Sequence, residues 1–248
     1  MNNSSWKKQG IKIEICCGGL DDVVASADGG AHRVELNSAL ELGGLTPSIG
    51  TLRLALEKTS LEIIAMLRPR GGGFWYSDEE FETMLIDLDL LLESGAHGIA
   101  FGILTRSGEL DDERCKIIFD RMDKCGGREA VFHMAYDEAT TEAFEMLSRL
   151  ESLGFARLLT KGRAETAMLG AESLKKYIDF TVTKGMKLEI LPGGSIRPSN
   201  ACEIVTKTGA AQLHGRLHRN MGGEVETVDA EVLRAYADWA DEFRWRES

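Results

Sequence analysis

The sequence predicts an α/β fold, a closed (β/α)8 TIM barrel formed as a single domain over residues 1–248, with a further helical segment at its C-terminal end. Three observations carry this. Eight short strand-like runs alternate with amphipathic helical patterns. Six of the seven junctions from helix to strand carry a glycine, the residue suited to the left-handed position just past a helix end. No Pro/Ser-rich linker or low-complexity tract divides the chain. Alternation with short turns implies parallel strands joined by right-handed crossovers, and eight units in 248 residues favour closure over an open doubly wound sheet.

The elements follow in order. The first strand is placed near Lys12–Cys16, where Glu14 and Cys16 share one face and Ile13 and Ile15 the other. The second, near Arg33–Asn37, repeats that parity with Glu35 and Asn37 against Val34 and Leu36. In both, the apolar set must face the surrounding helices, which leaves the polar set facing the barrel axis. The third strand, near Glu62–Leu67, runs into Arg68-Pro69-Arg70-Gly71-Gly72-Gly73. Pro69 biases Arg68 towards extended backbone. Ser77 and Glu80 read as a capping box, with Tyr76 and Phe81 as its hydrophobic staple. The helix beyond it shows Phe81, Met84, Leu85, Leu88, Leu91 and Leu92 on one stripe. Further strands are placed near Gly98–Phe101, Ala130–His133, Arg157–Thr160, Lys187–Leu191 and Gln212–His214. The junction glycines are Gly29-Gly30, Gly95, Gly126-Gly127, Gly154, Gly185 and Gly209; only Lys58-Thr59-Ser60 lacks one. A last helical segment runs from Asp229 to Trp245, and the stretch 215–228 before it is long for a barrel loop, reading as a lid or a mobile connection.

In such a barrel, chemistry sits at the C-terminal ends of the strands. Read in order, those ends supply Glu14 and Cys16, Glu35 and Asn37, Arg68 and Arg70, His133 and Asp137, Thr160 and Lys161, Gly193-Gly194, and His214. Carboxylates, imidazoles and guanidinium groups gathered there would perturb one another's pKa values, so Glu14, Glu35, His133 and His214 are the candidates for proton transfer. Arg68 and Arg70, with Asp137 and the Gly193-Gly194 turn, form the candidate ligand-binding set, its arginines suited to clamping an anion. Lys161 would add a cation. His32, His97 and His218 lie at strand starts or in a loop and are expected to be structural.

Net charge is −11, with 29 basic and 40 acidic residues, which argues against nucleic-acid or anionic-membrane partners. Met1 to Gly10 is polar, with neither a signal-peptide nor an anchor pattern, so a cytoplasmic location is expected. The five cysteines lack a C-x-x-C spacing and suit free thiols. Cys16 and Cys17 point to opposite faces, so only one can reach a shared ion; Cys115, Cys125 and Cys202 are expected to pack.

Glu14-Ile15-Cys16, Gly30-Ala31-His32-Arg33-Val34-Glu35-Leu36, Gly43-Gly44-Leu45-Thr46-Pro47-Ser48, Arg68-Pro69-Arg70-Gly71-Gly72, Phe132-His133, Leu191-Pro192-Gly193-Gly194 and His214 together resemble the copper homeostasis protein CutC family. The resemblance runs in order from about Lys12 to His214. It implies a cytoplasmic barrel, a homo-oligomer, linked to copper tolerance and binding Cu(I) through cysteine, here Cys16, with Met66, Met134 or His133 in support. Two positions depart from the family pattern. Asn37 stands where many members carry a second cysteine, and Met134 stands where the pattern has arginine. An amide does not replace a thiolate for soft Cu(I). The alternative expectation is an enzyme acting on a small anionic or phosphorylated metabolite at the same barrel mouth.

Overall fold

The structure is a computed structural model describing residues 10–219 and 226–243. The barrel strands are β1 (Lys12–Cys17), β2 (Arg33–Leu36), β3 (Glu62–Met66), β4 (Gly98–Phe101), β5 (Glu129–Phe132), β6 (Arg157–Thr160), β7 (Glu189–Pro192) and β8 (Gln212–Gly215). All ladders are parallel in the order β7-β6-β5-β4-β3-β2-β1-β8, a near-closed TIM barrel. The seam between β7 and β8 is bridged by a side-chain bond from Gln212 Nε2 to Glu189 Oε2 at 2.9 Å.

The outer ring comprises α1 (Leu20–Asp28), α2 (Ile49–Lys58), α3 (Asp78–Glu93), α4 (Asp112–Lys124), the short α5 (Ala135–Glu138), α6 (Ala143–Leu153), α7 (Ala171–Lys184), α8 (Pro198–Thr208) and α9 (Ala230–Glu242). Each glycine-bearing junction named above has a glycine at positive φ. Ser77 and Glu80 form the expected capping box on α3. None of the described helices is long and apolar enough to cross a membrane.

Strand alternation sorts the core into two compartments. Ile13, Ile15, Val34, Leu36, Ile63 and Phe101 face the helices and join the main apolar cluster. Ile64, Met66, Ala100, Val131, Leu159 and Leu191 fill the barrel interior, with Met134 packed against them. The N-terminal end is closed by charge. Arg157 Nη2 meets Glu129 Oε2 at 2.6 Å and Glu62 Oε1 at 3.5 Å, while Arg33 Nη2 donates to Gln212 Oε1 at 2.9 Å. The open, chemically rich end is therefore the C-terminal one.

His32 and His97 repeat one device at strand starts: the Nδ1 of each accepts a neighbouring strand's amide, from Ile13 at 3.1 Å and Ile63 at 3.0 Å. His218 bonds Asp22 at 2.9 Å. The stretch expected to be a lid or mobile begins and ends in regular structure. β9 (His218–Arg219) pairs antiparallel with β10 (Thr227–Val228), and Asp22 of α1 ties down both through His218 and the Val228 amide. Residues 220–225, the first nine residues and the end of the expected C-terminal helix beyond Phe243 lie outside the described residues. Cys115 is buried as expected, but Cys125, the residue that ends α4, and Cys202, on the outer face of α8, are exposed.

Candidate functional site

β1 and β8 are neighbours with Glu14 opposite His214 in register, and β2 sets Glu35 opposite Cys16. Alternation turns all four side chains inward. Arg33, one step below Glu35 on the same face, donates from Nε to Glu14 Oε2. The other Glu14 oxygen bonds His214 Nδ1 at 2.7 Å. Burial works against an ionised Glu14, but the Arg33 charge and the bonded His214 outweigh it, and its pKa lies well below the carboxylate range. For His214, burial alone would depress the pKa; bonds to Cys16 and Glu14 and the two neighbouring carboxylates reverse this and hold it well above the imidazole range.

Cys16 faces the other side of His214. Burial pushes its thiol up to about 11, against the lowering effect of the His214 bond. Glu35 is also raised, chiefly by burial. Asn37 Nδ2 lies 3.0 Å from Glu35 Oε2 and 3.6 Å from Cys16 Sγ. The second Glu35 oxygen is buried without a partner. Ligand atoms of Cys16, Glu35 and His214 lie within 4.8 Å of one another.

These groups line one side of a cavity of about 190 Å3 that also receives Arg68, His133 and Met134. His133 accepts the Ala135 amide at Nδ1 (3.1 Å), so its proton is on Nε2, which is buried without a partner. Burial and the Arg68 charge push its pKa down to about 3, so the ring is neutral. A larger cavity of about 380 Å3, walled by Ile178, Val182 and Leu188, opens at the starts of β7 and β8 and touches none of the candidate residues.

The Gly43-Gly44 pair exists for this site. Both residues have φ near +85°, the carbonyls of both accept from Arg68 Nη1, and a Cβ on Gly44 would lie 2.4 Å from Asn37 Oδ1.

Several sequence candidates go elsewhere. Arg70 does not join Arg68: it binds Glu80 through two bonds (2.5 and 3.0 Å) and the Trp75 carbonyl, stapling the glycine loop to α3, and these partners draw its side chain away from the cavity. Asp137 accepts from Thr160 Oγ1 and from the Lys161 and Arg163 amides, which fixes the loop after β6 and keeps it out of the cavity. The Gly193 amide is used by Thr160 O and the Gly194 carbonyl by the Ala167 amide; a Cβ on Gly193 would meet Leu159 at 2.6 Å, so that glycine serves packing. Lys161 lies along Gly194 instead of reaching the cavity. The sequence reading passed over Arg33, Arg216 at the exposed rim, and Phe74. Parity would have found two of them: Arg33 shares a face with Glu35, and Arg216 with His214.

The fold and site define a (β/α)8 barrel with a Cys-His-Glu cluster, its histidine and carboxylates buried and its thiol half-buried, at its C-terminal mouth. The chain belongs to the CutC family, whose model matches residues 11–218. It is 46% identical over 204 residues to a CutC family protein of Treponema denticola, covering 82% of this chain and 80% of that protein. It is 37% identical over 205 residues to the human copper homeostasis protein cutC homolog, covering 83% and 72%. The solved CutC structure from Streptococcus agalactiae superposes with a TM-score of 0.76 at 30% identity, covering 83% of this chain and 98% of that one. N-(5'-phosphoribosyl)anthranilate isomerase from Pyrococcus furiosus, at 11% identity and a TM-score of 0.59 over 94% of this chain and all of that one, shares the barrel fold.

Proposed function

We propose that this chain serves copper homeostasis by binding Cu(I) at the barrel mouth, between Cys16 Sγ and the Nε2 of His214. The supporting observation is the convergence of the Cys16, Glu35 and His214 ligand atoms within 4.8 Å, with Glu35 and His214 buried and Cys16 half-buried at the cavity. A thiolate and an imidazole suit a soft monovalent ion, and Glu14 on the far nitrogen of His214 supplies the orienting carboxylate that metal-bound histidines require. Glu35, with its raised pKa, acts as a hydrogen-bonding wall group and not as a ligand. His133 has its proton on the nitrogen away from Ala135 and offers that nitrogen no lone pair.

The order Cys16–His214–Glu14 would also suit a thiol nucleophile with its base and orienting acid, the arrangement an enzyme at this mouth would use. Activated thiols, however, have depressed pKa values, whereas burial lifts Cys16 to about 11. The thiolate becomes available when a cation displaces its proton, and that favours the copper reading.

The test is anaerobic competition against a chromophoric Cu(I) chelator under reducing conditions. Affinity should rise at least tenfold per pH unit between pH 6 and 8, because binding releases both the Cys16 proton and the Nε2 proton of the charged His214 ring, whose Nδ1 proton stays on Glu14. Cys16→Ser should remove the site. Asn37→Cys, which adds a second sulfur on the side chain that now reaches Cys16 Sγ through its amide, should strengthen it. Equal affinity in wild type and Cys16→Ser would overturn the assignment.

A further inference from the structure

Three arginines among the described residues are buried, and two have carboxylate partners: Arg33 has Glu14, and Arg157 has Glu129 and Glu62. Arg68 has none. Its Nη1 donates to the carbonyls of Gly43 at 3.0 Å and Gly44 at 3.3 Å, with Leu42 O at 3.5 Å; its Nη2 donates to Gly72 O at 2.6 Å. Its Nε is buried without a partner. A buried guanidinium held only by neutral groups, these carbonyls with the Tyr76 hydroxyl beside them, lacks the counter-charge that makes burial of an ion tolerable.

Beside it stands a second orphaned donor, the His133 Nε2–H. Phe74 touches both groups, with the Arg68 guanidinium carbon 4.8 Å above its ring and the His133 ring centroid at 4.9 Å. Both side chains line the 190 Å3 cavity, and both are more than nine-tenths buried. One wall of the cavity therefore carries a single uncompensated positive charge and two unused donors.

We propose that this wall binds the carboxylate of a small organic acid, one oxygen on Arg68 Nε and the other on His133 Nε2–H, with the rest of the ligand directed towards Cys16 and His214. A carboxylate matches on each count: one negative charge and two acceptor oxygens. A phosphate carries up to two charges and more acceptors than this wall can satisfy. At roughly 30 Å3 per water-sized group the cavity holds about six non-hydrogen atoms, the size of a three-carbon oxo or hydroxy acid. The proposal is independent of the copper reading, because it uses neither Cys16 nor His214 as a partner.

Calorimetric titration of metal-free protein, in chelator and at low salt, with pyruvate, inorganic phosphate and chloride tests it. Pyruvate should bind, more tightly than either inorganic ion. His133→Phe keeps an aromatic ring against Phe74 but removes the donor, and should weaken pyruvate tenfold or more, the loss typical of a hydrogen bond to a charged group. Arg68→Met should abolish binding. Lys175→Ala, at an exposed position of α7 where the side chain meets only Asp179, should leave it unchanged. Equal pyruvate affinity in wild type and His133→Phe, phosphate binding tighter than pyruvate, or no pyruvate binding at millimolar concentration would each overturn the proposal. Since no metal is present, failure here leaves the copper reading standing, and loss of copper binding leaves this one standing.

Discussion

Acidifying the protein should expose the cost of keeping His133 neutral. Its pKa falls from 6.5 to about 3 because burial and the Arg68 charge both oppose protonation in the folded state. A histidine with a depressed folded pKa contributes stability above its unfolded value, and that stability is lost as pH falls. The window therefore opens below pH 6.5 and closes near pH 3. At about 1.4 kcal/mol per unit the full loss is about 5 kcal/mol, and about 2.7 kcal/mol has gone by pH 4.5. His133→Gln removes the titrating group while keeping a polar side chain of similar reach. Urea denaturation of both proteins from pH 7 to 4 is the assay. The wild type should lose about 2–3 kcal/mol more than the variant by pH 4.5. Superimposable pH profiles, or an imidazole that NMR finds protonating near pH 6.5, would refute the argument and with it the placement of a neutral donor in the cavity.

Two further substitutions test how the site is built. Glu14→Gln leaves Arg33 with Gln212 as its remaining side-chain partner and takes the charge from beside His214, so it should cost about 3–5 kcal/mol, read as a fall in Tm of about 6–20 °C. His214 should also lose its imidazolium character in that variant, and an unchanged Tm would show that the pair carries no weight. Gly44→Ala forces φ +84° on a residue with a Cβ and drives that atom to 2.4 Å from Asn37 Oδ1, costing about 1–3 kcal/mol. Gly50→Ala, whose added atom meets nothing nearer than 3.9 Å, should be neutral or stabilising; equal Tm values for the two variants would contradict this account.

Much of the barrel was legible because its signals are local. The junction glycines, the Ser77–Glu80 cap and the two-residue alternation of β1 and β2 each depend on a few neighbouring residues, and each appears as expected. Strand ends moved by a residue or two, as with β5, which starts at Glu129 instead of Ala130 and ends at Phe132 instead of His133. Ladder register, set by the partner strand, decides such ends.

The sequence by itself determined which side chains face the axis, because parity along a strand is fixed by backbone geometry. That ground turns Glu14, Cys16 and Glu35 towards the axis, while His214 joins them by its place at the end of the last strand. Only the tertiary structure decided their partners. Arg33 neutralises Glu14 and Glu14 charges His214, contacts between residues up to 200 positions apart that no local pattern encodes. Arg68 and Arg70, two residues apart and alike in sequence, end in opposite circumstances: one is buried against carbonyls with no counter-charge, the other paired with Glu80 at the surface. Whether a charge is compensated depends on what the rest of the fold brings within a few ångströms, and that is a property of the closed barrel.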